Sequence, residues 1–179
     1  SILAMPAANR LGAQATTPTL VLTLDAGTLQ ITSATGNALA ANRKVQINAA
    51  GGAISDFGSN NFYEPAMLNN AASGSSLYLS NISGISQFRG AISGTGSVTW
   101  NGLGTASFQA SNTYSGGTVI KAGTIQVMQN ASLGAGSLFF TGNGTLQSGA
   151  ANLSLSNHIN LGSTSNVFDT NGNTLTLSG

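Results

Sequence analysis

Apolar residues recur along this chain in short runs that alternate with small polar ones. Leu20, Leu22 and Leu24 alternate, as do Leu29 and Ile31, Val45 and Ile47, Leu77 and Leu79, and Val98 and Trp100. The pattern continues through Ile125 and Val127, Leu138 and Phe140, Leu153 and Leu155, Ile159 and Leu161, and Leu175 and Leu177. A period of two puts successive side chains on opposite faces of a strand, one face buried and one wet. Gly36-Asn37, Gly51-Gly52, Asn101-Gly102, Gly116-Gly117, Asn143-Gly144 and Asn171-Gly172 punctuate the runs as turns. The pattern predicts an all-β chain of short strands, which leaves a sandwich, a barrel or a solenoid.

Composition sharpens this. Charged residues make up 5% of the 179 positions and the net charge is +1, while 24 Gly, 23 Ser, 19 Thr and 19 Asn supply the polar surface. Ser, Thr and Asn compete with helix hydrogen bonds through their own side chains, and Gly disfavours helix interiors. So few Lys and Arg exclude a polyanion binder, nucleic acid included, because counterion release needs clustered cations. Hydrophobic residues at 41% with a near-zero net charge argue against charge-driven disorder. With no Cys there is no disulfide framework and no thiolate metal site. No run is long and apolar enough for a membrane-spanning helix, so no membrane insertion of this chain is expected. Ser1 to Ala15 lacks the basic leader of an intact signal peptide.

Internal repetition selects the solenoid. Ala26-Gly27-Thr28-Leu29-Gln30-Ile31 recurs as Ala122-Gly123-Thr124-Ile125-Gln126-Val127, and Gly144-Thr145-Leu146-Gln147 follows Gly123 after 21 residues. That spacing suits one coil of a parallel β-helix, three short strands and three turns. A longer echo relates Val45-Gln46-Ile47, Ile54 and Asp56 to Ile159-Asn160-Leu161, Val167 and Asp169. It predicts that Asp56 and Asp169 occupy equivalent corners. Stacked coils also explain the missing charge: like charges repel down a ladder of identical positions, whereas Asn, Ser and Thr bond along it. We expect a β-helix of roughly eight coils over residues 20–179. Residues 1–19 are expected as an extended segment or cap, and an inserted loop is expected at about 58–76, where Phe62-Tyr63-Glu64-Pro65-Ala66-Met67-Leu68 leaves the alternation.

Gly96 to Val127 carries a specific signature, Asn112-Thr113-Tyr114-Ser115-Gly116-Gly117-Thr118 followed by Ala122-Gly123-Thr124. This stretch resembles the autotransporter-associated β-strand repeat of type V secreted passenger domains. Flanking pieces are similar, including Ile92-Ser93-Gly94-Thr95-Gly96 and Asp169-Thr170-Asn171-Gly172. Trp100-Asn101 stands where the family usually has a Lys, and Ala106 and Phe108 replace common Leu positions. The resemblance implies a right-handed parallel β-helix exported to, or shed from, a bacterial surface. In the motif itself, Asn112 and Tyr114 bracket a corner, with Asn112 suited to an amide ladder. Tyr114 is expected to cover the corner with its hydroxyl wet, and Gly116, Gly117 and Gly123 to supply the turn backbone.

Candidate chemistry is sparse. His158 is the only His, no Gly-x-Ser-x-Gly elbow accompanies it, and the carboxylates Asp25, Asp56, Glu64 and Asp169 form no sequence cluster. Gly51-Gly52-Ala53-Ile54-Ser55-Asp56 matches a calcium-binding nonapeptide only in part. No catalytic, metal or cofactor site is expected. The four Asn-x-Ser/Thr sites (Asn81, Asn130, Asn143, Asn152) follow from composition alone. Partner contact is expected at Phe62, Tyr63, Glu64 and Met67, and at the basic pair Arg43-Lys44, expected at a solvent-facing coil corner. Strand edges at Leu20 and Leu22, and at Leu175 and Leu177, are candidates for end-to-end contact. The expected role is a non-catalytic scaffold supporting adhesion or self-association. Its partners would be other copies of itself, a neighbouring or host cell surface, or a glycan. An extracellular filament built head to tail is the alternative, and a carbohydrate-active β-helix enzyme stands behind both.

Overall fold

The computed structural model describes residues 1–5, 20–32, 36–39, 43–58 and 61–179. The described residues form no helix, and every strand pairing is parallel. Three stacks of strands run along one axis. Numbered in chain order, the first stack holds β2 (Leu20–Leu24), β5 (Arg43–Ile47), β8 (Met67–Asn69) and β11 (Ile92–Ser93), and near the far end β16 (Leu153–Leu155) and β19 (Leu175–Leu177). The second holds β1 (Ile2–Met5), β3 (Gly27–Ile31), β6 (Gly52–Asp56), β9 (Ser76–Asn81), the front half of β12 (Ser97–Phe108), the front half of β13 (Thr118–Val127), β14 (Leu138–Phe140) and β17 (Ile159–Leu161). The third holds β4 (Gly36–Leu39), β7 (Asn61–Tyr63), β10 (Ile85–Phe88), the back halves of β12 and β13, β15 (Gly144–Ser148) and β18 (Val167–Asp169). The chain visits the stacks in that order in each coil, giving a β-solenoid of about seven turns, close to the eight expected.

Register shows why this sequence stacks. In the second stack Leu3, Leu29, Ile54, Leu79, Trp100, Ile120, Phe140 and Leu161 occupy one continuous row. The six inner members are at most 1% exposed, whereas the end members Leu3 and Leu161 are 44% and 60% exposed. Each inner residue is therefore sealed by the coils above and below it, as in quasi-one-dimensional folds. At about 4.8 Å per coil the eight rungs of this row span roughly 34 Å. In the third stack Tyr63 and Phe88 lie face to face at 4.9 Å between centroids, and Phe88 meets Phe108 at 5.3 Å. The 21-residue spacing is confirmed: Gly123, Thr124 and Ile125 pair with Gly144, Thr145 and Leu146.

Three expectations need correction. The stretch 58–76 is no inserted loop, because β7 and β8 pair in register with the coils on both sides. Its alternation is short but real: Asn61 and Tyr63, then Met67 and Asn69, all point inward and are buried. Pro65 falls in the turn between the two strands. The 113-residue echo is not structural, since Val45 lies in the first stack and Ile159 in the second. Asp56 and Asp169 likewise sit in different stacks, so they are not equivalent corners. Within the expected N-terminal extended segment or cap, Ile2–Met5 is a strand paired on β3. Residues 6–19, the rest of the expected cap, lie outside the described residues.

Candidate functional site

The repeat signature adds side-chain bridges to its backbone hydrogen bonds. Between β11 and β16 the first stack continues without regular strands, through residues 112–115 and 131–135. Thr113 and Ser115 N–H donate to the carbonyls of Ile92 and Gly94 below, and Ala135 N–H donates to Tyr114 O from above. Ile92 N–H donates to Oδ1 of Asn112 (2.8 Å), and Asn112 Nδ2 donates to the Ser132 carbonyl. One buried amide thus links three coils. It pairs with main chain rather than joining an amide ladder. Asn157 repeats the device farther along, donating to the carbonyls of Gly134 and Gly136.

Tyr114 is fully buried, so its hydroxyl is not wet as expected. Thr118 donates its single hydroxyl proton to the Leu133 carbonyl, which makes Tyr114 the donor in the Tyr114–Thr118 bond. Burial raises the Tyr114 phenol pKa well above its usual value, the Thr118 bond opposing it only in part. Gly134 explains how the next coil lies on the ring, since a Cβ there would come within 2.4 Å of Tyr114 O and 3.0 Å of ring carbons. Of the glycine pair, only Gly117 has positive φ (+88°). Gly116 is required by crowding instead, a Cβ there falling 2.5 Å from the Gly96–Ser97 backbone. At Gly123 both reasons coincide, with φ of +62° and the Gly102 carbonyl 2.3 Å from the Cβ position.

The remaining candidates are scattered. Tyr63 and Met67 are core residues and Glu64 pairs with Arg89 at 2.8 Å, while the Phe62 side chain lies outside the described set. The Tyr63 hydroxyl is buried with no hydrogen-bond partner among the described residues. Burial first, and then the nearby Asp56 carboxylate, raise its phenol pKa. Arg43 and Lys44 stand within β5 rather than at a corner, and Arg43 is buried at 8% exposure while Lys44 is exposed. Leu22 and Leu175 pack partly against the core and Leu177 is exposed. The Leu20 side chain lies outside the described set. His158 contacts Asn160 Nδ2 through Nδ1 (3.2 Å). Asp56 is buried and accepts from Gly58 N–H, Asn61 Nδ2 and Ser86 Oγ, which makes it a fastener between coils. Among the described residues no three His, Cys, Asp or Glu come together as a metal site.

Two surface features escaped the periodicity. Along the outside of the third stack, Ser107 donates to Gln126 (3.0 Å), Gln126 to Gln147 (2.9 Å), and Gln147 to Asp169 (2.8 Å). The Gln147 bond, and then the Asn171 N–H, lower the Asp169 pKa. The second stack carries an apolar outer face: Tyr78, Thr99, Val119 and Phe139 form one row, and Tyr78 and Phe139 are exposed. Beyond a polar row with Ser80 and Asn101, the exposed Phe57, Ile82 and Leu103 line the corner. The register slips between Trp100 and Asn101, leaving Lys121 as an extra residue in β13, and its Nζ lies 5.7 Å from the Tyr78 ring centroid. A bulge of this kind re-aims one side chain. It is invisible in a pattern of apolar and polar positions, because only the partner strand defines it.

An uninterrupted parallel stack, tied across coils by buried amides, is a β-solenoid scaffold. Residues 98–127 match the family model described as the passenger-associated-transport-repeat. That match covers β12, the signature and β13, and with the parallel coils it fits an autotransporter passenger domain with repeats. A repeat of this family implies a secreted or surface-exposed protein. No curated protein and no solved structure matches the chain.

Proposed function

We propose that the chain is a non-catalytic, load-carrying segment of an exported passenger, displayed at the bacterial cell surface and supporting adhesion or self-association. The observation that carries this is the coincidence of the passenger repeat at 98–127 with a continuous parallel stack from β3 to β17. A rod sealed coil by coil holds its outer faces at fixed spacing, which suits it to presenting contacts away from the cell. The test is immunolabelling of intact cells producing the full-length protein. Surface signal removed by externally added protease is expected. Signal seen only after permeabilisation would overturn the reading.

End-to-end association is a second reading, favoured by the exposure of Leu161 and Leu177, whose counterparts one coil back, Phe140 and Leu155, are buried. On this reading the coil that covers them belongs to a second copy. Electron microscopy of native material tests it, with long fibres expected for copies stacked on one another, whereas isolated short rods would overturn it.

A further inference from the structure

Asparagine followed by glycine occurs three times in the chain, at Asn101-Gly102, Asn143-Gly144 and Asn171-Gly172. The pair carries its own reactivity. A glycine nitrogen has no Cβ beside it to block approach, and the asparagine side chain has the length to close a five-membered ring on it. By sequence the three pairs are alike, and the structure separates them. Gly102 is buried, and a Cβ there would fall 2.5 Å from the Trp100 ring and 2.6 Å from Asn81 Oδ1. Gly144 is buried in β15 and paired on Gly123, a Cβ there would fall 2.3 Å from Ile120 Cγ2, and Asn143 Oδ1 accepts from Ser163 Oγ. Neither backbone has room to turn its nitrogen toward the preceding side chain.

The third pair stands in the turn between β18 and β19. Asn171 and Gly172 are both exposed, and a Cβ at Gly172 would meet no atom within 4 Å. Both residues have positive φ, +51° and +75°. For Asn171 this is a left-handed conformation disfavoured for an L-residue, so leaving it costs less than leaving a relaxed turn. Among the described residues neither the Asn171 side-chain amide nor the Gly172 N–H has a hydrogen-bond partner. The rest of the turn is bonded. Asn171 N–H donates to Asp169 Oδ1 (2.8 Å), Asn173 N–H to the Thr170 carbonyl (2.8 Å), and Asn173 Nδ2 to the Asn171 carbonyl (3.3 Å). The last contact bears on the chemistry. When the Gly172 nitrogen loses its proton, the negative charge is shared with the Asn171 carbonyl oxygen, the atom that Asn173 Nδ2 faces. A donor placed where charge develops lowers the barrier.

We propose that Asn171-Gly172 is a self-modification site of the folded chain, where the asparagine converts to aspartate and isoaspartate. Hydroxide removes the Gly172 amide proton. The nitrogen attacks Asn171 Cγ, the N–Cγ bond forms, the Cγ–Nδ2 bond breaks, and ammonia leaves. Water then opens the succinimide at either carbonyl, so the net change is an amide and a water giving a carboxylic acid and ammonia. The new carboxylate lies two residues from Asp169 and takes the formal net charge from +1 to zero. In the isoaspartyl form the main chain between β18 and β19 runs through Cβ and is one atom longer. None of this depends on where the chain is displayed.

The test is timed incubation of the purified, folded chain in mildly alkaline buffer, read by cation exchange and by peptide mapping with mass spectrometry. Labelling by isoaspartyl methyltransferase identifies the isoaspartyl product, and Asn171→Asp marks the aspartyl one on the column. Conversion at Asn171 is expected to be at least about tenfold faster than at Asn101 or Asn143. In urea the three rates are expected to converge, because the fold alone distinguishes the sites. Asn173→Ala is expected to slow Asn171 severalfold while Asn101 and Asn143 stay slow, which also shows that the variant is folded. Equal rates at the three sites in the folded chain, no conversion at Asn171, or indifference to Asn173→Ala would overturn the proposal.

Discussion

Replacing Asn112 by Ala removes an amide that no backbone group can substitute. The Ile92 N–H and the Ser132 carbonyl, both served by Asn112, would be left buried without a partner. Each such group costs about 1–3 kcal/mol, so the substitution should destabilise the chain by about 4 kcal/mol. That is a large share of the ~5–15 kcal/mol typical of a domain. Urea unfolding followed by fluorescence of Trp100, the only tryptophan, reads the loss directly. Hydrogen exchange at the Ile92 amide reads it locally, because that proton should lose protection before its neighbours in β11. Thr113→Ala, at the exposed position next door, is the control and should stay within about 0.5 kcal/mol. A cost for Asn112→Ala below about 1 kcal/mol, with the Ile92 amide still protected, would refute the bridging role.

Gly74 and Gly117 share nearly the same φ, +87° and +88°, but only Gly117 is crowded, the Ser137 carbonyl lying 2.7 Å from the Cβ position. Gly74→Ala should therefore cost about 1–2 kcal/mol for the left-handed backbone, and Gly117→Ala clearly more in the same denaturation assay. Phe88→Ala should cost about 3–5 kcal/mol, having lost its place between Tyr63 and Phe108, and Phe88→Leu much less, as thermal melting would show. Burial raises the phenol pKa of both Tyr63 and Tyr114. Their protonated state is thus favoured by folding, so stability is intact below the unfolded tyrosine pKa of about 10 and falls above it. Two such groups give a limiting slope of about 2.7 kcal/mol per pH unit, measurable as the pH dependence of the urea midpoint, and their tyrosinate absorbance should appear only with unfolding.

The all-β, stacked character was legible because it rests on two short-range signals, alternation and a 21-residue recurrence around Gly123 and Gly144. Both survive in the register. The 58–76 stretch misled because strands of three residues, Asn61–Tyr63 and Met67–Asn69, show too few alternations to stand out, and because buried Asn reads as surface. Asn61, Asn69 and Asn112 are inward residues whose partners lie on other coils or across a turn, so their burial is decided by contacts that the local sequence does not display. The long echo failed for a related reason. Successive coils differ in length, with 25 residues from Gly27 to Gly52 and 20 from Val98 to Thr118, so similar strings at a long offset fall on different faces. The outer face with Tyr78, Lys121 and Phe139 was unreadable because its members are 18 to 61 residues apart and only the stacking brings them onto one surface.

The series Ser107, Gln126, Gln147 and Asp169 gives the rod a direction. Every proton in it is handed the same way, and the last member at neutral pH holds only lone pairs. A glutamate at position 126 or 147 would set two acceptors face to face and stall the sequence of handovers. The carboxylate end of the row can only accept, so any group that docks on Asp169 through a hydrogen bond at neutral pH has to bring the proton itself.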